Sequence, residues 1–328
     1  MNASPLQTLP LLLPPFQGRL LRRPPTAGEL AGRGSCALNQ RDLDIFRAIE
    51  LHGFLTARLI SLAFFTPAAG AQRRLASRAF GRLRLLWLWG YLDRYLLPAP
   101  RGMLGSVPCV YALGQPALQY LPPSIQGKRS DPRSLEQLDP RFVQHELAAA
   151  AFWAHLQAEV GAGRLAACRW TPERVLRAQR RRVQDPRTQR WLPVLLDGFV
   201  ELEDDAGHIG CAMVEIDRGT LTVERFQRKL RAWEAYVDSG RFQADWGHAD
   251  GSVVVLVECW DRLRSIWKAG RRQVPEGRWA RYIFSTFDAL APNRFGRADV
   301  WLSMRGEYAR LLDELFSAAR PGAQLSGN

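Results

Sequence analysis

Two apolar strands, "GHIGCAMVEIDRG" and "SVVVLVECW", stand on either side of "TVERFQRKLRAWEAYVDSG". In the intervening stretch Phe226, Leu230, Trp233 and Val237 recur at helical spacing and so share one face. A strand, a crossover helix and a second strand make the two strands neighbours in a mixed sheet covered by helices. Upstream, "LPVLLDGFVELED" is predicted to form a hairpin with the first of them across Asp204 to Gly207. A further strand around Ala298 to Leu302 and a closing helix complete this half of the chain.

The first half follows a different pattern. Asn39 is positioned to cap a helix carrying Leu43, Phe46 and Ile49, and Thr56 a second one presenting Leu59, Ile60 and Phe64. In "AQRRLASRAFGRLRLLWLWGYLDRY", Leu75, Ala79, Leu83, Leu86 and Trp87 turn inward, while Arg73, Arg74, Arg78, Arg82 and Arg84 take the rest of the surface. Two strands, "YLDRYLLPAP" and "PCVYALG", follow around a Gly/Pro loop. Three helices and a hairpin spell a winged helix-turn-helix whose third helix suits a major groove. The other reading is a three-helix packing unit whose arginines serve solubility.

Charge favours the first. The chain carries 45 Lys+Arg against 32 Asp+Glu, a formal +13, which suits a polyanionic partner because each phosphate contact releases counterions. The expected partner is double-stranded DNA, with Arg177 and Arg181 of "TPERVLRAQRRRVQDPRTQRW" a second phosphate-contacting strip or else part of a solvated helix face. Five scattered cysteines without a CxxC pair read as reduced thiols of a cytoplasmic protein. No apolar run is long enough to span a bilayer.

The expected organisation is a flexible tail over 1–36, a winged-helix domain over 37–121, a linker over 122–139 and a second domain over 140–328. The second domain opens with a helix, "DPRFVQHELAAAAFWAHLQAEVGAG", in which Phe142, His145, Ala149 and Phe152 repeat on one side and Glu146 is embedded.

Carboxylates carry the candidate chemistry. Glu215 and Asp217 are two apart on a strand, so both leave the same face. Asp197 ends the preceding apolar run, and Glu146 lies on the long helix. Four converging carboxylates raise one another's pKa values unless a cation neutralises them, and Mg2+ or Mn2+ is the natural oxygen-liganded choice. Lys229, two turns into the next helix, can stabilise charge on a phosphate. Taken singly these residues have plainer roles: Asp217 paired with Arg218 or Arg225, Glu215 as a cap, Asp197 in a turn before Gly198.

The segments "LNQRDLDIFRAIELHGFLTARLISLAFF", "RLRLLWLWGYLDR", "VYALGQPALQYL", "HELAAAAFW", "LLDGF", "EIDRGT" and "KLRAWEAY" together resemble the replication-relaxation family of plasmids and mobile elements. The resemblance implies an α+β or α/β chain, with a winged helix ahead of a restriction-endonuclease-like domain of the PD-(D/E)xK kind, a mixed sheet flanked by helices. In that pattern Glu146, Asp197 and Glu215 match the three acidic positions and Asp217 stands where a lysine is expected, with Lys229 on the next helix as its substitute. Metal-dependent DNA nicking or cleavage is then one expectation, and a non-catalytic replication or transcription regulator the other. A homodimer and plasmid replication or mobilisation proteins are the further partners it suggests.

Overall fold

The computed structural model describes residues 16–65, 72–98, 108–122, 135–219, 221–291 and 294–317. The chain forms two compact units, 1–163 and 164–328. It is a mixed α/β fold in which helices flank a multi-stranded sheet.

In the first unit, helix α1 (Ala27–Ala31) follows strand β1 (Leu21–Arg22), and helix α2 (Gln40–His52) opens on a reciprocal cap. There the Asn39 side chain accepts from the Asp42 amide while Asp42 accepts from the Asn39 amide. Strand β2 (Leu55–Thr56) leads into helix α3 (Ala57–Phe64), whose first turn is capped by the Thr56 hydroxyl. Helix α4 (Gln72–Leu88) buries Ala79, Leu83, Leu86 and Trp87, the face expected from its spacing; the side chains of Arg73, Arg74 and Leu75 lie outside the described residues.

Strands β3 (Leu92–Leu96) and β4 (Cys109–Leu113) pair antiparallel, and the small sheet runs β1-β3-β4-β2. The connection at 99–107 lies outside the described residues, as do 123–134 of the expected linker and 1–15 of the expected tail. The rest of that tail differs from expectation. Leu21 and Arg22 add a strand to β3, and a capping box at Thr26 and Glu29 starts α1. At the base of the β3–β4 pair a side chain on Gly114 would meet the Gly90 carbonyl at 1.8 Å, so only glycine lets the two chains pass.

Helix α5 (Pro140–Gly161) groups with the first unit and packs on α3. Of the face read from the sequence Ala149 and Phe152 are buried, His145 is half-buried and Phe142 is exposed, and Val143, Leu147, Ala150, Ala151 and Ala154 are buried as well.

The second unit is built on a seven-stranded sheet ordered β13-β12-β11-β10-β9-β8-β5. Strand β5 (Ala167–Pro172) enters helix α6 (Glu173–Ala178), and a separate two-stranded ribbon follows, β6 (Arg182–Gln184) and β7 (Trp191–Pro193). Strand β8 (Gly198–Glu203) lies antiparallel to both β5 and β9 (Ile209–Asp217). Helix α7 (Val223–Asp238) and the short α8 (Arg241–Trp246) cross over to β10 (Ser252–Val257), which is parallel to β9.

Helix α9 (Trp260–Gln273) crosses to the parallel β11 (Tyr282–Thr286), and β12 (Trp301–Ser303), β13 (Tyr308–Ala309) and α10 (Leu311–Ser317) close the unit. Every residue of β10 is buried, as a central parallel strand covered on both faces requires. The core joins Met213, Val253 and Val255 of the sheet to Phe226, Leu230 and Trp233 of α7 and Leu263 and Ile266 of α9. All five cysteines are free thiols, and burial pushes Cys211 up to about 12. Among the described residues no helix is long and apolar enough to cross a membrane.

Candidate functional site: a buried carboxylate–lysine centre

Glu215 alternates onto the same face of β9 as Cys211 and Met213, and these two belong to the core under α7 and α9. Its side chain is 3% exposed. Lys229 on α7 lies between Phe226 and Trp233 at i+3 and i+4, so the helix that buries those rings also drives the ammonium toward the sheet. The Nζ atom donates to both Glu215 oxygens, at 2.5 and 2.6 Å.

Asp197 immediately precedes β8, whose Gly198 faces Val214 in register. Its amide donates to the Val214 carbonyl at 3.0 Å, and its Oδ2 accepts from the Ile216 amide at 2.7 Å. Two hydrogen bonds to β9 thus fix this carboxylate beside Glu215. The glycine after it has a packing reason: a Cβ on Gly198 would sit 2.1 Å from the Trp170 ring.

The fourth member was not among the expected residues. Glu173, the first residue of α6, is buried, and one of its carboxylate oxygens lies within 4.8 Å of one of Asp197. Arg177, one turn on, closes over it at 2.5 Å from the solvent side. A proline at the strand end followed by an acid in the first helical turn is the local signal, but it reads equally well as a helix-dipole partner.

Burial alone would lower the Lys229 pKa, but the carboxylates of Glu215, Asp197 and Glu173 outweigh it and hold the ammonium above its ordinary value. The carboxylates of Glu173, Asp197 and Glu215 are buried, the Lys229 ammonium is partly buried beside Glu215, and Arg177 meets Glu173 from the rim. Carboxylate oxygens such as those of Glu173 and Asp197, which lie close enough to share an ion, are donors that a hard divalent cation such as Mg2+ or Mn2+ takes.

Asp217 is placed differently and does not join this set: its Oδ2 is 2.7 Å from Arg262 Nε and 2.6 Å from Nη2, its Oδ1 accepts from the Gly219 amide, and its side chain is fully buried. Arg262 reaches it from α9, 45 residues away in sequence, and also donates to the Leu221 carbonyl. The pair therefore ties the end of β9 to the following loop and helix, and the charge of Asp217 is spent there. Glu146 is half-buried on α5 of the first unit. The second unit assembles its centre from Glu173, Asp197, Glu215 and Lys229.

Among the arginines, Arg78 and Arg84 are exposed on α4, near the exposed Phe80. Arg82 is not a free contact: it holds Asp42 through Nε at 2.8 Å and Nη2 at 2.5 Å and donates to the Ala37 carbonyl. Arg181 is likewise engaged, 2.8 Å from Asp245 and over the Trp246 ring, whereas the Arg177 side chain is largely exposed beyond its contact with Glu173.

Fold and centre together define a two-unit α/β protein with a buried acidic cluster suited to a cation. The replication-relaxation family model matches residues 46–251. That span is most of the chain, runs from Phe46 within α2 to the loop before β10, and includes all four residues of the centre; the protein belongs to the replication-relaxation family. No curated protein and no solved structure matches it.

Proposed function

We propose that the protein binds double-stranded DNA in plasmid or mobile-element replication or relaxation, and that its second unit nicks or cleaves DNA with Mg2+ or Mn2+. In this reading the first unit is a winged helix and the second a restriction-endonuclease-like PD-(D/E)xK domain. The order α2, α3, α4, β3, β4 supports the former, with Arg78 and Arg84 directed to phosphates. Three antiparallel strands, β5, β8 and β9, followed by α7 and the parallel β10 support the latter.

The observation that carries the proposal is the meeting of Asp197, Glu215, Glu173 and Lys229 in one buried place. Asp197 and Glu215 would hold the cation, with Glu173 offering a further oxygen. When bound, such an ion would supply Lewis-acid activation at a scissile phosphate. Lys229 orients Glu215 and is placed to share its protons with a phosphate oxygen as negative charge builds there. The protein acts in the cytoplasm, alone or as a homodimer, beside plasmid replication or mobilisation proteins.

Supercoiled plasmid incubated with the protein and Mn2+ should yield nicked or linear product that chelator suppresses. Asp197→Ala and Glu215→Ala should abolish it, and cleavage surviving in either variant would remove the assignment. One feature favours a second reading: Lys229 caps both Glu215 oxygens, as in a purely structural ion pair. A non-catalytic DNA-binding regulator with a degenerate centre would retard plasmid equally with and without chelator and yield no product under either metal.

A further inference from the structure

The ribbon β6–β7 is built to do more than cover α7. Its two strands alternate: Val183 and Leu192 point inward and join the core with Phe226 and Leu230, while Arg182, Gln184 and Trp191 point outward. Val183 and Leu192 already seal the helix, so the outward tryptophan adds nothing to that packing. It is nevertheless 50% exposed, a costly position for the largest apolar side chain unless something stacks on it.

Its surroundings state what that something is. Between 174 and 190 the chain carries seven arginines against one acid, Asp185. That acid is turned inward, its Oδ2 3.3 Å from Arg231 of α7 and its Oδ1 accepting from the Arg187 amide, so it does not neutralise the outer surface. Arg182, Arg187 and Arg190 are exposed. Arg241 donates to the Arg182 carbonyl at 2.5 Å and places its guanidinium 5.5 Å from the centre of the Trp191 ring, holding the indole in a cationic setting.

The tip is also rigid before any ligand arrives. The Asp185 amide donates to the Arg190 carbonyl, the Gln189 amide to the Asp185 carbonyl, and the Gln184 side chain to the Gln189 carbonyl. Little ordering entropy is left to lose on binding.

An exposed indole beside Arg241, on a stiff ribbon that also carries the exposed Arg182, Arg187 and Arg190, matches the two parts of an unpaired nucleic-acid strand, flat bases and regularly spaced phosphates. In a duplex the base faces are covered by their neighbours, and arginines alone would suffice. We infer that the β6–β7 ribbon of the second unit is a single-stranded DNA contact, in which Trp191 stacks on a base and Arg182, Arg187 and Arg190 hold the flanking phosphates. The inference rests on the reading of the protein as DNA-binding and adds that it engages an unpaired strand.

The test uses the full chain and fluorescently labelled DNA of about 20 nucleotides, single-stranded and as its duplex. The wild type should bind both. Trp191→Ala should weaken single-strand binding about tenfold and leave duplex binding unchanged, while Trp191→Phe keeps most of the affinity. Arg190→Glu, at an exposed side chain, should weaken single-strand binding without lowering the melting temperature, and so stands even if the Trp191→Ala chain fails to fold.

Single-strand binding unchanged in both Trp191→Ala and Arg190→Glu, alongside intact duplex binding, would overturn the inference and leave the DNA-binding reading standing. Equal losses on both probes at an unchanged melting temperature would also overturn it. A wild type that binds neither probe would remove the DNA-binding reading itself.

Discussion

Lys229 spans both carboxylate oxygens of Glu215, a pair whose two members come from a helix and a strand packed over one core. Removing one member strands the other in a buried place, which costs more than the pair itself gains. Lys229→Met is therefore expected to lower stability by about 3 kcal/mol, and Lys229→Met with Glu215→Gln to recover much of it. Urea unfolding of the single and double variants measures the coupling; additive losses would mean that the two do not form a working pair.

The same lysine sets an alkaline limit. Its pKa is higher in the folded protein than the ordinary 10.5, so its contribution is complete below that value and disappears as pH rises through the folded value. The stability gap between wild type and Lys229→Met should be flat near neutrality and shrink only in strongly alkaline buffer.

Asp185 behaves oppositely. Burial works to raise its pKa, but hydrogen bonds from Arg187 and Thr188 and the charge of Arg231 prevail and hold it below the ordinary 3.8. Its contribution is present above 3.8 and lost as pH falls through the lower folded value. Asp185→Asn should accordingly loosen the ribbon at neutral pH, seen as faster proteolysis near 185–190, and the difference from wild type should close in strong acid.

The arginines of α4 should divide into two kinds. Arg82→Ala breaks a pair with the buried Asp42 and is expected to cost about 3 kcal/mol of stability. Arg78→Ala and Arg84→Ala should leave melting unchanged and each reduce the salt dependence of duplex binding by about 0.9 in the log–log slope. Thermal melts beside binding titrations at several salt concentrations separate the two behaviours.

Gly198→Ala should cost about 2 kcal/mol by overpacking against Trp170. Loss of stability without loss of secondary structure, followed by circular dichroism, is the expected result; a neutral substitution would mean that the Trp170 ring moves aside freely.

Much of this was legible in the sequence where the signal is local. The caps at Asn39 and Thr56, the buried stripe of α4, the β8–β9 hairpin and the crossover through α7 depend on residues within a few positions of one another. Glu215 could be nominated because strand alternation fixes its direction, Asp197 because it ends the apolar run before Gly198, and Lys229 because it lies two turns into the following helix. What escaped depends on distant partners. Asp217 reads as a free ligand until Arg262 is seen to reach it from α9, and Arg82 as a surface contact until Asp42 meets it from α2. The ribbon was read as an arginine block because its three-residue strands are too short for alternation to register against the charge around them.

The rims of the seven-stranded sheet decide how copies of this chain can meet. One rim is β13, two residues long, and the other is β5, which carries Arg169 and ends in Pro172. A short border and a charged, proline-ended one offer poor templates for a strand from another molecule. The seven-stranded sheet thus resists growing at either rim into a continuous intermolecular ribbon or an aggregate.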